Sequence, residues 1–491
     1  MTFKKKMNSY RYFIIVFPLL FINIISKNLK AQLKDDKDKL LFVWKHFRHG
    51  ARGPYIAVNL KTHLDFIGET WNTMGELTPL GLRMHYLLGV STKNEYSNFI
   101  SEKYNPNELY ITSTNVNRTL VSVYAFLKGF YGNDSSVDLS KKQIERGNIL
   151  NSNYSVKIKD KIEKLGKKSL EGGVSEIPVH IFNRNKLEFG LYEGANCPGI
   201  IKYQTENQES ERVKKVYEDI KRHTNETFGK YILKFMNTTD LNYLWNKTNI
   251  YYLSDTFFSD YFNGREMKYI NETGIDMESF YQNSFNVTFI DTYHYTFGFP
   301  STDTVYISVS PMLRNILHYM DLRVQLDKQN KPDEIIADSP RFVIFSGHDT
   351  SLAPIDIFME SEFGIEFGMA TYASSQTFEL WKNATTGKYS VHYLFNQELK
   401  GNFELDYFRE KLENKTYNQE KIREICFPNL KNYFSLSQSI NINNANLNLN
   451  KILIYISITS IAFILISGLI FKFSKRNKEI RNDINFIDYY I

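Results

Sequence analysis

Two short apolar runs, Leu41–Trp44 and Phe342–Phe345, each end in a turn that carries a histidine among charged neighbours. An unbroken apolar run of this length fits a strand buried on both faces, the inner strand of an α/β sheet. After the first run comes Arg48-His49-Gly50-Ala51-Arg52-Gly53-Pro54; after the second, Ser346-Gly347-His348-Asp349. In an open α/β sheet, ligands bind beyond the carboxyl ends of the strands, so two turns far apart in sequence can share one site. Guanidiniums packed this closely repel each other unless an anion sits among them, and arginine suits bidentate capture of phosphate oxygens. Gly50 is expected to let the backbone turn tightly enough to bring His49 into the same pocket. Arg118 begins the helix that follows a short strand, Glu108–Thr112, where a helix N-terminus also favours an anion.

The rest of the chain is read around these turns. Thr78 followed by Pro79 predicts a helix start, leading into Leu80–Gly89. From Asn115 a helix is expected with Leu120, Tyr124, Leu127 and Phe130 on one face, and another is expected around Pro311–Met320. Thr377–Trp381 and Tyr389–Phe395 predict a hairpin. Residues 141–299, rich in Lys, Asn and aromatics, contain the weak helical segments Ser210–His223 and Phe228–Met236 and are read as a mostly helical inserted cap. The fold class expected is α/β, an open and mostly parallel sheet flanked by helices, with its core drawn from residues 32–140 and 300–433.

Both ends of the chain read as addresses. Residues 1–31 join a cationic start to the apolar run Tyr12–Ile25 and a polar exit, the layout of a secretory signal peptide with cleavage near Ser26 to Ala31. Ile452–Phe471 holds no charge and is long enough to span a bilayer, and the basic cluster Lys472 to Arg481 behind it places the tail, 472–491, in the cytosol. The Asn-rich stretch 434–451 is read as a stalk, so the expected molecule is a type I membrane protein with its body on the lumenal or outer side. With the two cationic ends set aside, 48 basic and 51 acidic residues remain, which removes the case for nucleic-acid binding by bulk charge. Ten N-x-S/T sequons fit a glycoprotein, but composition alone predicts about six in a chain so rich in Asn, so the excess is weak evidence. Only Cys197 and Cys426 are present, which excludes a thiolate zinc centre and is consistent either with one disulfide or with two free thiols.

Taken together, Arg48–Pro54, Gly75-Glu76-Leu77-Thr78-Pro79-Leu80-Gly81, Ser113-Thr114 with Arg118-Thr119, and Gly347-His348-Asp349 resemble the histidine acid phosphatase family, the membrane-bound lysosomal and prostatic type. The resemblance covers roughly residues 39–430. It implies a phosphoglycerate mutase-like core with a helical insert. It also implies a histidine nucleophile, His49, and a proton donor, Asp349, with Arg48, Arg52, Arg118 and His348 holding the phosphate. A bond between Cys197 and Cys426 is implied in the same way. The chain departs from the family's usual Arg-Ser-Thr-Asp run: Thr112-Ser113-Thr114-Asn115-Val116-Asn117-Arg118 keeps the binding arginine but replaces one arginine and two carboxylates by neutral residues. The departure creates a sequon at Asn117, expected to stay unmodified because a glycan there would obstruct Arg118.

The chemistry these residues imply is attack of the His49 imidazole on a phosphate monoester, a small-molecule substrate, through a covalent phosphohistidine. No cofactor or metal is called for, and HExxH, Walker-type and GxSxG motifs are absent from the sequence. The same chemistry serves phytases, inositol-phosphate and lipid phosphatases; a surface receptor or adhesion protein with an incidental site is the rival from another class. A homodimer is the candidate assembly, and the lysosome, another acidic vesicle or the cell surface are the candidate locations.

Overall fold

The computed structural model describes residues 38–55, 75–132, 136–147, 158–181, 197–236, 247–264, 285–287, 293, 296–299, 302–336 and 339–428. The expected signal peptide, stalk, membrane span and tail lie outside these residues. Among the described residues, no helix is long and apolar enough to cross a membrane. The chain divides into two units, Met1–Cys426 and Phe427–Ile491, and everything described below belongs to the first apart from residues 427–428.

Seven strands form one sheet: β1 (Lys39–Arg48), β2 (Leu109–Ser113), β3 (His180–Ile181), β4 (Phe342–Gly347), β5 (Ser375–Lys382), β6 (Tyr389–Phe395) and β7 (Glu398–Glu404). Their order is β3-β2-β4-β1-β5-β6-β7. The pairings β1–β4, β2–β4 and β2–β3 are parallel, whereas β1–β5, β5–β6 and β6–β7 are antiparallel. The sheet is therefore mixed, not mostly parallel as the sequence suggested. Two causes combine: β6 and β7 follow β5 through turns too short for the crossover that a parallel pair needs, and β5 itself lies antiparallel to β1.

The two apolar runs lie side by side at the centre, with Trp44 opposite Val343 and Arg48 opposite Gly347. Alternate residues serve opposite faces. Phe42, Trp44, Val343 and Phe345 enter one core cluster with Val309, Leu313 and Phe358. Val43, Phe47, Phe342 and Ile344 enter the other with Ile111, Val123 and Phe126. Burial on both faces explains why these strands read as continuous apolar runs, each large side chain contributing about 1.5–3 kcal/mol.

Helices α1 (Pro79–Glu95) and α2 (Asn117–Tyr131) cover the second face, and each follows a site-bearing or paired segment. Thr78 caps α1 as expected, its hydroxyl accepting from Gly81 N (3.2 Å). The two helices touch backbone to backbone: a Cβ on Gly89 would lie 2.0 Å from Phe126 O, and one on Gly129 would lie 1.9 Å from Tyr86 O. The buried side of α2 runs through Thr119, Ser122, Val123, Phe126, Leu127 and Phe130, while Tyr124, expected inside, is exposed.

Within residues 141–299 lie α3 (Lys141–Gly147), α4 (Lys159–Leu165), α5 (Ile200–Gln208), α6 (Glu211–Met236) and α7 (Lys247–Phe262), together with β3 at the sheet edge. The two weak helical segments expected here join into the single helix α6. Beyond them run α8 (Asp303–Lys328), α9 (Asp349–Phe363), α10 (Leu405–Lys415) and α11 (Gln419–Cys426). Helix α8 passes through Pro311, expected at its start, because buried residues on both sides of the proline, from Val305 to Val324, hold it against the core. Cys197 and Cys426 are bonded, as the resemblance implied, and both are fully buried.

Candidate active site

Strands β1 and β4 end together, and their ends bring both histidine turns to one place. His49 N donates to Gly347 O (3.0 Å), and Ala373 N donates to His49 O (3.1 Å). The ring of His49 stands 5.6 Å from that of His348 and 5.7 Å from that of Tyr372, centre to centre.

The turn after β1 is held by the segment before α1. Gly53 N donates to Glu76 O, Gly75 N to Pro54 O, and Thr78 N to Ala51 O. A Cβ on Gly50 would sit 2.4 Å from Gly81 O, and one on Gly81 would sit 2.2 Å from Ala51 O. Gly50 is thus required for close approach to a second backbone, a different reason from the tight turn expected of it. Its N–H donates to Ser122 Oγ of α2 (3.1 Å). His85 Nε2, buried in α1, donates to Arg48 O (3.0 Å). Burial lowers the His85 pKa to about 3, so the ring is neutral and acts as a fixed strut.

His49 is 2% exposed. Its Nδ1–H donates to Gly50 O (2.9 Å), which assigns the tautomer with a lone pair on Nε2. Burial, and then the charges of Arg118, Arg48 and Arg52, lower its pKa well below the ordinary histidine value. The largest cause is desolvation, and the guanidiniums act in the same direction.

Arg48 is fixed on four sides. Its Nη1 donates to Ala370 O (2.7 Å), its Nη2 lies 2.7 Å from Asp349 Oδ2, and its guanidinium carbon stands 4.7 Å from the Tyr372 ring centre and 5.2 Å from that of Phe258. Asp349 opens α9 and also accepts from Thr350 N through Oδ1 (2.8 Å). Arg52 meets Asp255 of α7 through both Nη atoms (3.1 and 2.7 Å). Arg118 Nη2 lies 3.4 Å from His348 Nδ1. An arginine only donates, so His348 Nδ1 accepts and its Nε2–H donates to Thr114 Oγ1 (2.9 Å), which in turn meets Thr119 Oγ1 (2.9 Å). Burial, then Arg118, Arg48 and Arg52, lower the His348 pKa well below its usual value.

All six residues singled out in the sequence, Arg48, His49, Arg52, Arg118, His348 and Asp349, therefore converge. Asp255, Ala370 and Tyr372 come from segments without a motif and were not expected at the site. His85 and Ser122 are apolar-face positions of α1 and α2, and only their buried polar identity marks them. Among the described residues, no cluster of His, Cys, Asp or Glu is arranged to hold a metal ion.

The model of the histidine phosphatase superfamily (branch 2) matches residues 25–396. The chain belongs to that superfamily. Among curated relatives, lysosomal acid phosphatase of Bos taurus is 24% identical over 381 residues, 76% of this chain and 75% of the relative. Lysosomal acid phosphatase of Xenopus laevis is 27% identical over 192 residues, covering 39% of this chain and only 36% of that relative. Among solved structures, Hafnia alvei phytase in complex with myo-inositol hexakis sulphate superposes with a TM-score of 0.51 at 13% identity, covering 78% of this chain and 98% of the phytase. That likeness is one of fold. The core of the branch-2 fold, a mixed sheet flanked by helices, is the one described above.

Proposed function

We propose that this histidine phosphatase is an acid phosphatase that hydrolyses phosphate monoesters through a phosphohistidine formed on His49. The observation that carries the reading is the neutral His49 ring, with Nδ1–H anchored on Gly50 O and the Nε2 lone pair left for attack, beside three arginines. In the first step the Nε2–P bond forms and the P–O bond to the alcohol breaks, while Asp349 gives its proton to the departing oxygen. In the second step water attacks phosphorus, its proton returns to Asp349, and His49 leaves with its lone pair restored. Arg48, Arg52 and Arg118 hold the non-bridging oxygens and offset the charge that builds on them in the transition state. His348 orients Arg118 through its Nδ1 and stands beside the His49 ring, which sets it at the edge of the phosphate-holding group.

An acidic workplace suits this proton arrangement, since a donor carboxyl must be protonated and the nucleophile must not be. The relatives named lysosomal acid phosphatase point to a lysosomal or extracellular location. The leader at 1–31 and the apolar segment Ile452–Phe471 extend the proposal to a type I membrane protein with a lumenal catalytic body. A homodimer forms no part of it.

The test is His49→Ala assayed on a generic aryl phosphate near pH ~5, where the proton bookkeeping places the optimum. Loss of turnover, together with trapping of an acid-labile phosphoenzyme in the unaltered protein, is the expected result. Turnover equal to that of the unaltered protein overturns the reading.

A further inference from the structure

Helix α7 grips Arg52 with one of its faces. Asp255, Ser259 and Asn263, the last just past the helix end, recur every four residues and so point the same way. Asp255 takes both Nη groups of Arg52, and its Oδ2 also accepts from Tyr55 N (2.8 Å). Ser259 Oγ (2.6 Å) and Asn263 Nδ2 (3.1 Å) both donate to the carbonyl of the same arginine. The two charged side chains are about 5% exposed. Arg52, expected to hold phosphate, thus already holds a carboxylate on the edge of its guanidinium that suits a bidentate anion.

This changes the charge that a substrate meets. Arg48, Arg52 and Arg118 bring three positive charges; Asp255 and, in its ion pair before the ligand brings the proton it later donates, Asp349 bring two negative ones. Both imidazoles are held neutral. A phosphate group with one remaining proton matches the single net positive charge. Its P–OH also donates to a carboxylate oxygen, whereas a doubly charged group sets lone pairs against lone pairs.

Resting on the phosphatase reading, we propose that Asp255 is a specificity-determining residue that makes the site select the singly charged, protonated form of a phosphate group over a doubly charged oxyanion. Its helix places this carboxylate on the arginine, so the segment between residues 141 and 299 sets the charge state of the ligand.

The experiment uses the full chain at a single pH near ~5, where inorganic phosphate is singly charged and sulfate, of the same shape, is doubly charged. Both serve as competitive inhibitors of aryl phosphate hydrolysis, and as ligands in calorimetry if a variant has no turnover. In the unaltered protein phosphate should bind about tenfold or more tightly than sulfate, the scale of one unit charge at close range. Asp255→Asn should bring the two within about threefold, chiefly by tightening sulfate. Asp255→Glu, which keeps the charge, and Ser259→Ala, which loosens the helix but keeps Asp255, should both retain the preference. An unchanged ratio in Asp255→Asn overturns the inference, and so does a collapse in Ser259→Ala that equals it. An unaltered protein that binds phosphate over sulfate without hydrolysing esters removes the phosphatase reading and leaves the selectivity standing.

Discussion

Asp349 Oδ2 and Arg48 Nη2 lie 2.7 Å apart at the ends of neighbouring parallel strands, where Arg48 is in register with Gly347. One pairing of β1 with β4 therefore joins the turn that carries the proposed nucleophile to the turn that carries the proposed acid. A slip of one residue would turn both away, which makes the register of two buried strands a condition for chemistry.

If Asp349 supplies the proton to the departing oxygen, its importance depends on how much that oxygen needs one. Asp349→Asn should lower kcat by about 10²–10⁴ on an alkyl phosphate and by much less on an activated aryl phosphate. Steady-state rates on the two substrate types check this, and equal losses would remove Asp349 from the role.

After burial, Arg118 is the charge that lowers the His49 pKa most. A nucleophile is competent above its folded pKa, so a lowered value extends activity toward acid. Arg118→Gln should move the acid limb of kcat/KM to higher pH and raise KM as well. A raised KM with an unmoved limb would confine Arg118 to binding.

Asp356 is fully buried among Gln376, Tyr293 and Tyr393, and burial pushes its pKa up to about 7. A carboxyl raised above its unfolded value adds stability that is complete below about pH 4 and is lost as pH rises through about 7. The body should therefore lose on the order of a few kcal/mol on going from pH ~4 to pH ~8 through this group. Urea melts of the unaltered protein and of Asp356→Asn at the two pH values check it; the gap should narrow in the variant.

Gly50→Ala places a methyl 2.4 Å from Gly81 O, with no flexible side chain to give way. A cost of about 1–3 kcal/mol is expected, with loss of turnover exceeding what the melting shift explains, because His49 is the adjacent residue. Thermal unfolding and kcat measured together test both parts.

Asn117 donates to Glu76 Oε1 (3.1 Å) at the rim next to Arg118, whereas Asn414 is exposed at the end of α10, a helix that packs on α8, β6 and β7. Glycopeptide mapping should find Asn117 unmodified and Asn414 occupied. A glycan on Asn117 in active protein would place Arg118 elsewhere.

What was legible in the sequence follows from range. The strands Leu41–Trp44 and Phe342–Phe345, the Thr78-Pro79 helix start and the hairpin to Phe395 are written in contiguous residues, and each lies where it was expected. The site histidines and arginines were legible because they cluster in turns directly after core strands. Asp255 was not, because its meaning comes from a helix packing on Arg52 across 203 positions of sequence. The parallel bias was misjudged for a related reason: the sequence marks the hairpin but does not say that β5 pairs with β1, which brings the antiparallel half to the centre of the sheet.

The bond between Cys197 and Cys426 closes a ring of chain 229 positions long that contains Asp255, His348 and Asp349, while Arg48, His49, Arg52 and Arg118 precede it. On a chain-entropy view a ring this large is worth about 5 kcal/mol against unfolding. It also means that a protease cutting once anywhere inside the ring frees no fragment. In a digestive compartment, the half of the pocket that supplies both carboxylates would survive a nick as a linked piece.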